Sequence, residues 1–158
     1  MTKVRLAVIR IRGDVNLSSD VRTTLKYLKI YRKNYCSLWP STPQILGMIQ
    51  KVKDFVTFGE IDEETCKLLL EKRGRLAGNK PLNDEYVKSK TGMDLKEFSK
   101  KYINFAAELK DIPGLKTFFR LCPPRGGFER KGIKASFAQG GALGYRGKNI
   151  NDLLKRMV

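Results

Sequence analysis

Histidine is absent from this 158-residue chain. That removes the commonest general base and the commonest metal ligand, and it lowers the expectation of an enzyme without excluding catalysis by carboxylates or lysine. Cysteine is scarce: Cys36, Cys66 and Cys122 lie far apart, form no Cys-x-x-Cys pair and are odd in number. Neither a zinc site nor a disulfide framework is expected, and free thiols in a reducing cytosol are the default. No run of about 20 apolar residues occurs, so no bilayer span is expected. The N-terminal MTKVRLAVIRIRG is broken by Arg10 and Arg12; it looks like a strand and lacks the uninterrupted apolar region of a signal peptide.

Acid is also in short supply. Asp and Glu number 16 against 32 Lys and Arg, a net charge of +16 with a pI near 9.9. An anionic partner follows, with nucleic acid the first candidate and an acidic membrane surface the second. The imbalance is uneven. Residues 1–60 carry eleven Lys/Arg against four Asp/Glu, residues 61–112 eleven against ten, and residues 113–158 ten against two. Two basic ends flank a nearly neutral middle. At 41% hydrophobic, the chain can bury a core within one domain, or one domain with an extension.

Along the chain, residues 4–11 predict a strand ended by Gly13-Asp14. Ser18 or Ser19 caps a helix with Val21, Leu25 and Leu28 on its apolar side. Tyr31 to Asn34 form a basic turn. A second strand over 35–39 stops at Pro40. Thr42 caps a second helix, with Pro43 at its first position. A third strand over 55–58 is ended by Gly59. The first sixty residues therefore read β-α-β-α-β. Asp62, Glu63 and Glu64 open a helix that ends at Lys72-Arg73 with Gly74 after it. Residues 77–92 look like loop. Asp94 and Glu97 suggest a capping box before an apolar face of Leu95, Phe98 and Tyr102. Pro113-Gly114 is a turn, 117–121 and 133–137 are strand-like, and Pro123 to Gly127 form an exposed loop. Asn149 caps a last helix with Ile150, Leu153, Leu154 and Met157 inward.

The stretch from Arg120 to Lys148 holds seven basic residues, one acid (Glu129) and seven glycines. So much glycine costs backbone entropy, and close approach of backbone to a polyanion is one reason to bear it. Known phosphate loops do not fit. Before Gly147-Lys148 a Walker A loop needs glycine where Ala142 stands and Ser or Thr where Asn149 stands. A dinucleotide fingerprint needs an acid about 20 residues on, beyond Val158. Gly144 to Gly147 matches the short GXXG of a KH loop but lacks the preceding helix. A turn-rich surface loop is the plain reading; backbone-level RNA contact is the one favoured. The other features carry plain readings too. Arg32-Lys33 and Arg73-Gly74-Arg75 are as readily solvated charges. Lys51 and Lys53 complement a helix end. Asp62 to Glu64 suit capping better than acid–base chemistry. Trp39 and Tyr35 suit a core or interface better than base stacking.

The pattern TPxxxGMIxKV (Thr42, Pro43, Gly47, Met48, Ile49, Lys51, Val52), the basic turn Arg32-Lys33-Asn34, Pro124-Arg125-Gly126-Gly127, Gly140-Gly141, Ile150-Asn151 and Arg156-Met157 together resemble the long, archaeal-type form of the large-subunit ribosomal protein "L thirty" family, related to the eukaryotic "L seven". The resemblance covers essentially the whole chain. It implies an α+β fold, with a ferredoxin-like β-α-β-α-β core over 1–60 and a C-terminal α/β extension over 61–158. It implies a structural role, not catalysis, in the large ribosomal subunit of the cytoplasm, binding large-subunit rRNA near the 5S region. 5S rRNA and neighbouring ribosomal proteins are candidate partners. No cofactor, metal, membrane or small-molecule substrate is expected. The candidate RNA contacts are Arg12, Arg22, Arg32, Lys33 and Asn34; Lys51, Lys53, Arg73 and Arg75; Arg120, Arg125, Arg130 and Lys131; and Arg146 and Lys148. The competing readings are a histidine-free nucleic-acid-processing enzyme and a membrane-surface adaptor.

Overall fold

Strand β1 (Arg5–Arg10) is buried along its whole length. Leu6 and Val8 lie in one apolar cluster and Ala7 and Ile9 in another, because successive side chains of a strand point to opposite faces. A strand apolar on both sides needs cover on both sides. In the computed structural model, which describes residues 3–158, that cover is helical. β1 pairs antiparallel with β2 (Tyr35–Pro40) and with β3 (Val56–Glu60). β4 (Phe118–Arg120) adds antiparallel to β2, and β5 (Gly144–Tyr145) adds parallel to β3. The sheet order is β4-β2-β1-β3-β5.

Helices α1 (Ser19–Tyr27) and α2 (Pro43–Lys51) cover the Leu6/Val8 face with Leu25, Ile45 and Ile49. Ser18 Oγ and Thr42 Oγ1 accept from the backbone N–H of Val21 and Ile45, so both predicted caps form. The other face carries α3 (Glu63–Arg73), α4 (Asp84–Thr91), α5 (Leu95–Ile103) and α6 (Ile150–Met157), packed through Leu69, Val87, Phe98 and Leu153. The fold is α+β with the ferredoxin-like β-α-β-α-β core, and its sheet is completed at both edges by strands from the second half. No helix among the described residues is long and apolar enough to cross a membrane.

Several local expectations differ. Residues 84–91 are a helix, not a loop; only Val87 of α4 is buried, so the apolar periodicity that marks a helix is missing. The Asp94–Glu97 capping box does not form. Instead Asp84 Oδ1 accepts from the N–H of Leu95, and Asp94 meets Lys88 Nζ at 2.8 Å. Residues 133–137 are not a strand but parts of two 3-10 turns, Gly132–Lys134 and Phe137–Gln139, around a bridge from Ser136 to Leu143. Pro40 closes β2 from inside it, paired with Arg5. Gly59 lies within β3 and does not end it. A Cβ there would stand 2.1 Å from the carbonyl oxygen of Gly147, so glycine is required by the chain crossing it.

Candidate nucleic-acid interface

The pairing directions bring distant basic segments together. β1 and β4 finish at the same end of the sheet where β2, β3 and β5 begin. α1 starts at that end, and α2, α3 and α6 return to it. Arg12 follows β1, Arg32 to Asn34 precede β2, Lys51 and Lys53 precede β3, Arg120 ends β4, and Arg125 follows it. Arg22 sits in α1, Arg73 at the end of α3 with Arg75 just past it, and Arg130 and Lys131 on the glycine-rich segment leading to β5. Arg22, Arg32, Lys33, Lys51, Lys53, Arg120, Arg125, Arg130 and Lys131 are exposed, and Arg12, Asn34, Arg73 and Arg75 half-buried. The far end is mixed: Glu60, Asp62, Glu63, Glu64 and Glu108 stand there with Lys29, Lys110 and Lys148. Sequence-separated charges thus form one cationic end, and such a field draws a polyanion.

The backbone fixes this end tightly. Asn34 adopts φ 64°, a left-handed conformation asparagine tolerates. Its N–H donates to Arg10 O at 2.8 Å, and its carbonyl accepts from Leu121 N–H at 3.0 Å. Tyr35 stacks on Phe118 with ring centroids 5.5 Å apart, and the Arg120 guanidinium lies 5.8 Å from the Tyr35 ring. Arg12 lies over Phe55 at 5.2 Å and donates to Asp54 O. The loop after β4 is clamped by α6: Cys122 N–H donates to Met157 O, Arg125 N–H to Arg156 O, and Arg156 Nη1 to Gly127 O. Pro124 is buried, and Gly126 and Gly127 turn the chain with φ 78° and 77°. Arg125 projects from this turn, with no carboxylate within 4.0 Å of it among the described residues.

Arg146 is a correction. Its side chain is 1% exposed and pairs with Glu129 through both Nη atoms, while Nε donates to Thr57 Oγ1 and Nη2 to Ala142 O, each at 2.9 Å. It also lies 4.7 Å over the Phe137 ring. It is a strut of the glycine-rich segment and does not reach the surface. Burial acts to raise the Glu129 carboxyl, but the hydrogen bonds it accepts and the charges of Arg146 and Arg156 outweigh that and hold it below its ordinary value. Arg5 and Arg10 are struts of the same kind, paired with Glu108 and Asp14. The hydrogen bond and charge of Arg10 hold the Asp14 carboxyl low. Lys148 is exposed but lies at the opposite end, beside Glu60, where Asn151 Nδ2 donates to the carbonyls of both residues. Lys51 stands 3.8 Å from Asp20, a loose pair that leaves it open to solvent.

Sequence reasoning missed Arg156, which both supports the loop and adds charge beside it. Its position in the last turn of a helix looks like ordinary dipole compensation. Among the described residues no group of three or more Cys, Asp or Glu side chains is placed to hold a metal ion.

Residues 6–56 match the family model "Ribosomal protein L30p/L7e". Over 148 residues the chain is 54% identical to "Large ribosomal subunit protein uL30" of Methanopyrus kandleri, covering 93% of this chain and 99% of that protein. It is 50% identical to the protein of the same name from Nanoarchaeum equitans over 96% of this chain and 97% of that one. It is 49% identical to that of Methanococcus maripaludis over 96% and 98%.

Proposed function

The chain belongs to the L30p/L7e family of ribosomal proteins, and from that premise we propose that it is a structural constituent of the large ribosomal subunit that holds large-subunit rRNA through phosphate and shape contacts. The relatives carry the name of large-subunit proteins along nearly their full lengths, which supports a ribosomal, non-enzymatic role. The observation that carries the RNA reading is the convergence of exposed cations from both halves of the chain on one end of the sheet. A-form grooves hide base edges from side chains, so such a surface suits phosphates and helix shape. Residues 1–60 supply Arg12, Arg22, Arg32, Lys33, Asn34, Lys51 and Lys53 as the core contact set. Residues 61–158 are the extension that adds Arg73, Arg75, Arg120, Arg125, Arg130 and Lys131. Lys148, on the opposite end, would meet a second element of the subunit. 5S rRNA and adjacent ribosomal proteins are the further partners, in the cytoplasm.

The test is the affinity for transcribed large-subunit rRNA as a function of salt. With six or more phosphates contacted, binding falls roughly a thousandfold or more between 50 and 200 mM salt. An affinity flat across that range sinks the reading.

A further inference from the structure

Three of the cationic side chains do not stand apart. Arg73 from the end of α3, Arg75 from the loop after it and Arg120 from β4 line one pocket of about 220 Å³ together with Asn79. That volume lies below the ~300 Å³ at which small-molecule sites begin and suits a compact anion with a few waters.

Three like charges around one cavity repel each other unless something between them is negative. Elsewhere this chain supplies the negative group itself. Arg5 has Glu108, Arg10 has Asp14, and Arg146 has Glu129. Among the described residues, none of Arg73, Arg75 and Arg120 has a carboxylate within 4.0 Å. Their donors are also largely idle. Arg73 Nη2 donates to Cys122 Sγ at 3.0 Å and Arg75 Nη1 to Gly74 O at 3.3 Å. A fourth cation adjoins them: Lys116 Nζ donates to Asn79 Oδ1 at 2.5 Å, and Lys116 N–H to Arg75 O at 2.9 Å.

The guanidiniums are nevertheless held. Arg120 rests by the face of Tyr35, itself stacked on Phe118. Arg73 is tethered to the β4 exit through Cys122. A set of planar forks lining one cavity, with no carboxylate partner among the described residues, matches tetrahedral oxyanions. We propose that Arg73, Arg75 and Arg120 form a single phosphate pocket that seats one backbone phosphate of the bound RNA. This rests on the rRNA-binding reading above and refines it: the three arginines act as one contact.

Sharing one phosphate has a measurable signature. Residues that act on one group are non-additive, whereas independent contacts multiply, and each phosphate released lowers the salt slope by about one. The experiment measures rRNA affinity against salt for Arg73→Gln, Arg75→Gln, Arg120→Gln and the triple variant. The expected result is that each single change weakens binding by roughly tenfold, the triple does little worse, and its slope falls by about one. A slope falling by about three with multiplied losses means three separate contacts; it overturns the pocket and leaves the rRNA reading intact. Full affinity in the triple variant overturns the pocket as well. Failure of the wild-type protein to show any salt dependence defeats the rRNA reading itself. Two controls guard against misfolding. The triple variant, relieved of repulsion, keeps or raises the melting temperature of the free protein. Arg120→Lys, which keeps charge but loses the fork, loses affinity with the slope unchanged.

Discussion

Replacing Arg146 by alanine separates a structural arginine from an RNA-binding one. The side chain is 1% exposed, and its departure leaves the Glu129 carboxylate, itself 20% exposed, with only Arg156 at 4.0 Å as a charged partner. It also leaves Ala142 O without its donor, while Thr57 Oγ1 keeps its hydrogen bond to Gly144 O. Removing one partner of a buried ion pair costs about 3–5 kcal/mol. Because Glu129 keeps some hydration, the lower figure, about 3 kcal/mol, applies. In a domain of this size each kcal/mol moves the midpoint by roughly 2–4 °C, so the melting temperature falls by about 6–12 °C. Circular dichroism at pH 7 measures this on the free protein. The pH dependence carries a second signature. Glu129 titrates below its ordinary value in the folded chain, so its contribution is present above the unfolded-state pKa and is lost as pH falls through the folded one. Arg146→Ala therefore flattens the acid limb of the stability curve, and its deficit narrows in acid. A variant that keeps its melting temperature but loses salt slope in rRNA binding would show Arg146 to be an RNA contact and would refute the burial argument.

Arg125→Ala should behave in the opposite way: an exposed side chain costs under about 0.5 kcal/mol in stability, while the rRNA salt slope drops by roughly one. A lower melting temperature with full RNA binding would make that arginine structural. Gly59→Ala forces a Cβ against the Gly147 carbonyl, and overpacking of this kind costs roughly 1–3 kcal/mol, read as a lower denaturation midpoint; an unchanged midpoint would mean the crossing yields easily. Neutralising Lys88, Lys90 and Lys96 together should leave rRNA affinity nearly intact, since they lie on α4 and α5 of the neutral middle; a large loss would show that the charge division misleads.

The first sixty residues were legible because their signals are local. Ser18, Thr42 and Pro43 mark helix starts, and β-branched runs mark strands on either side. What was not legible depended on contacts across the chain. β5 is two residues long and exists only because β3 offers it an edge. Gly59 looked like a strand end because the backbone that crosses it arrives 88 positions later. Arg146 sat in a basic, glycine-rich context that suggests phosphate. Its partner Glu129, the one acid between Arg120 and Lys148, was the available clue that one arginine there is structural. Which basic residues share a surface was beyond the sequence, because only the strand order decides which chain ends meet.

Directed hydroxyl-radical cleavage tests the orientation most directly. Cys36 and Cys66 are buried, and burial pushes the Cys66 thiol up to about 12, so with Cys122→Ser the chain offers no reactive thiol of its own. An iron chelate is then attached through Lys33→Cys, at the cationic end, or Glu64→Cys, at the first turn of α3 on the far end, and the proteins are assembled into large subunits. With the cationic end against rRNA, cleavage of large-subunit rRNA is strong from position 33 and weak from position 64. Equal cleavage from both, or stronger cleavage from position 64, would contradict that orientation.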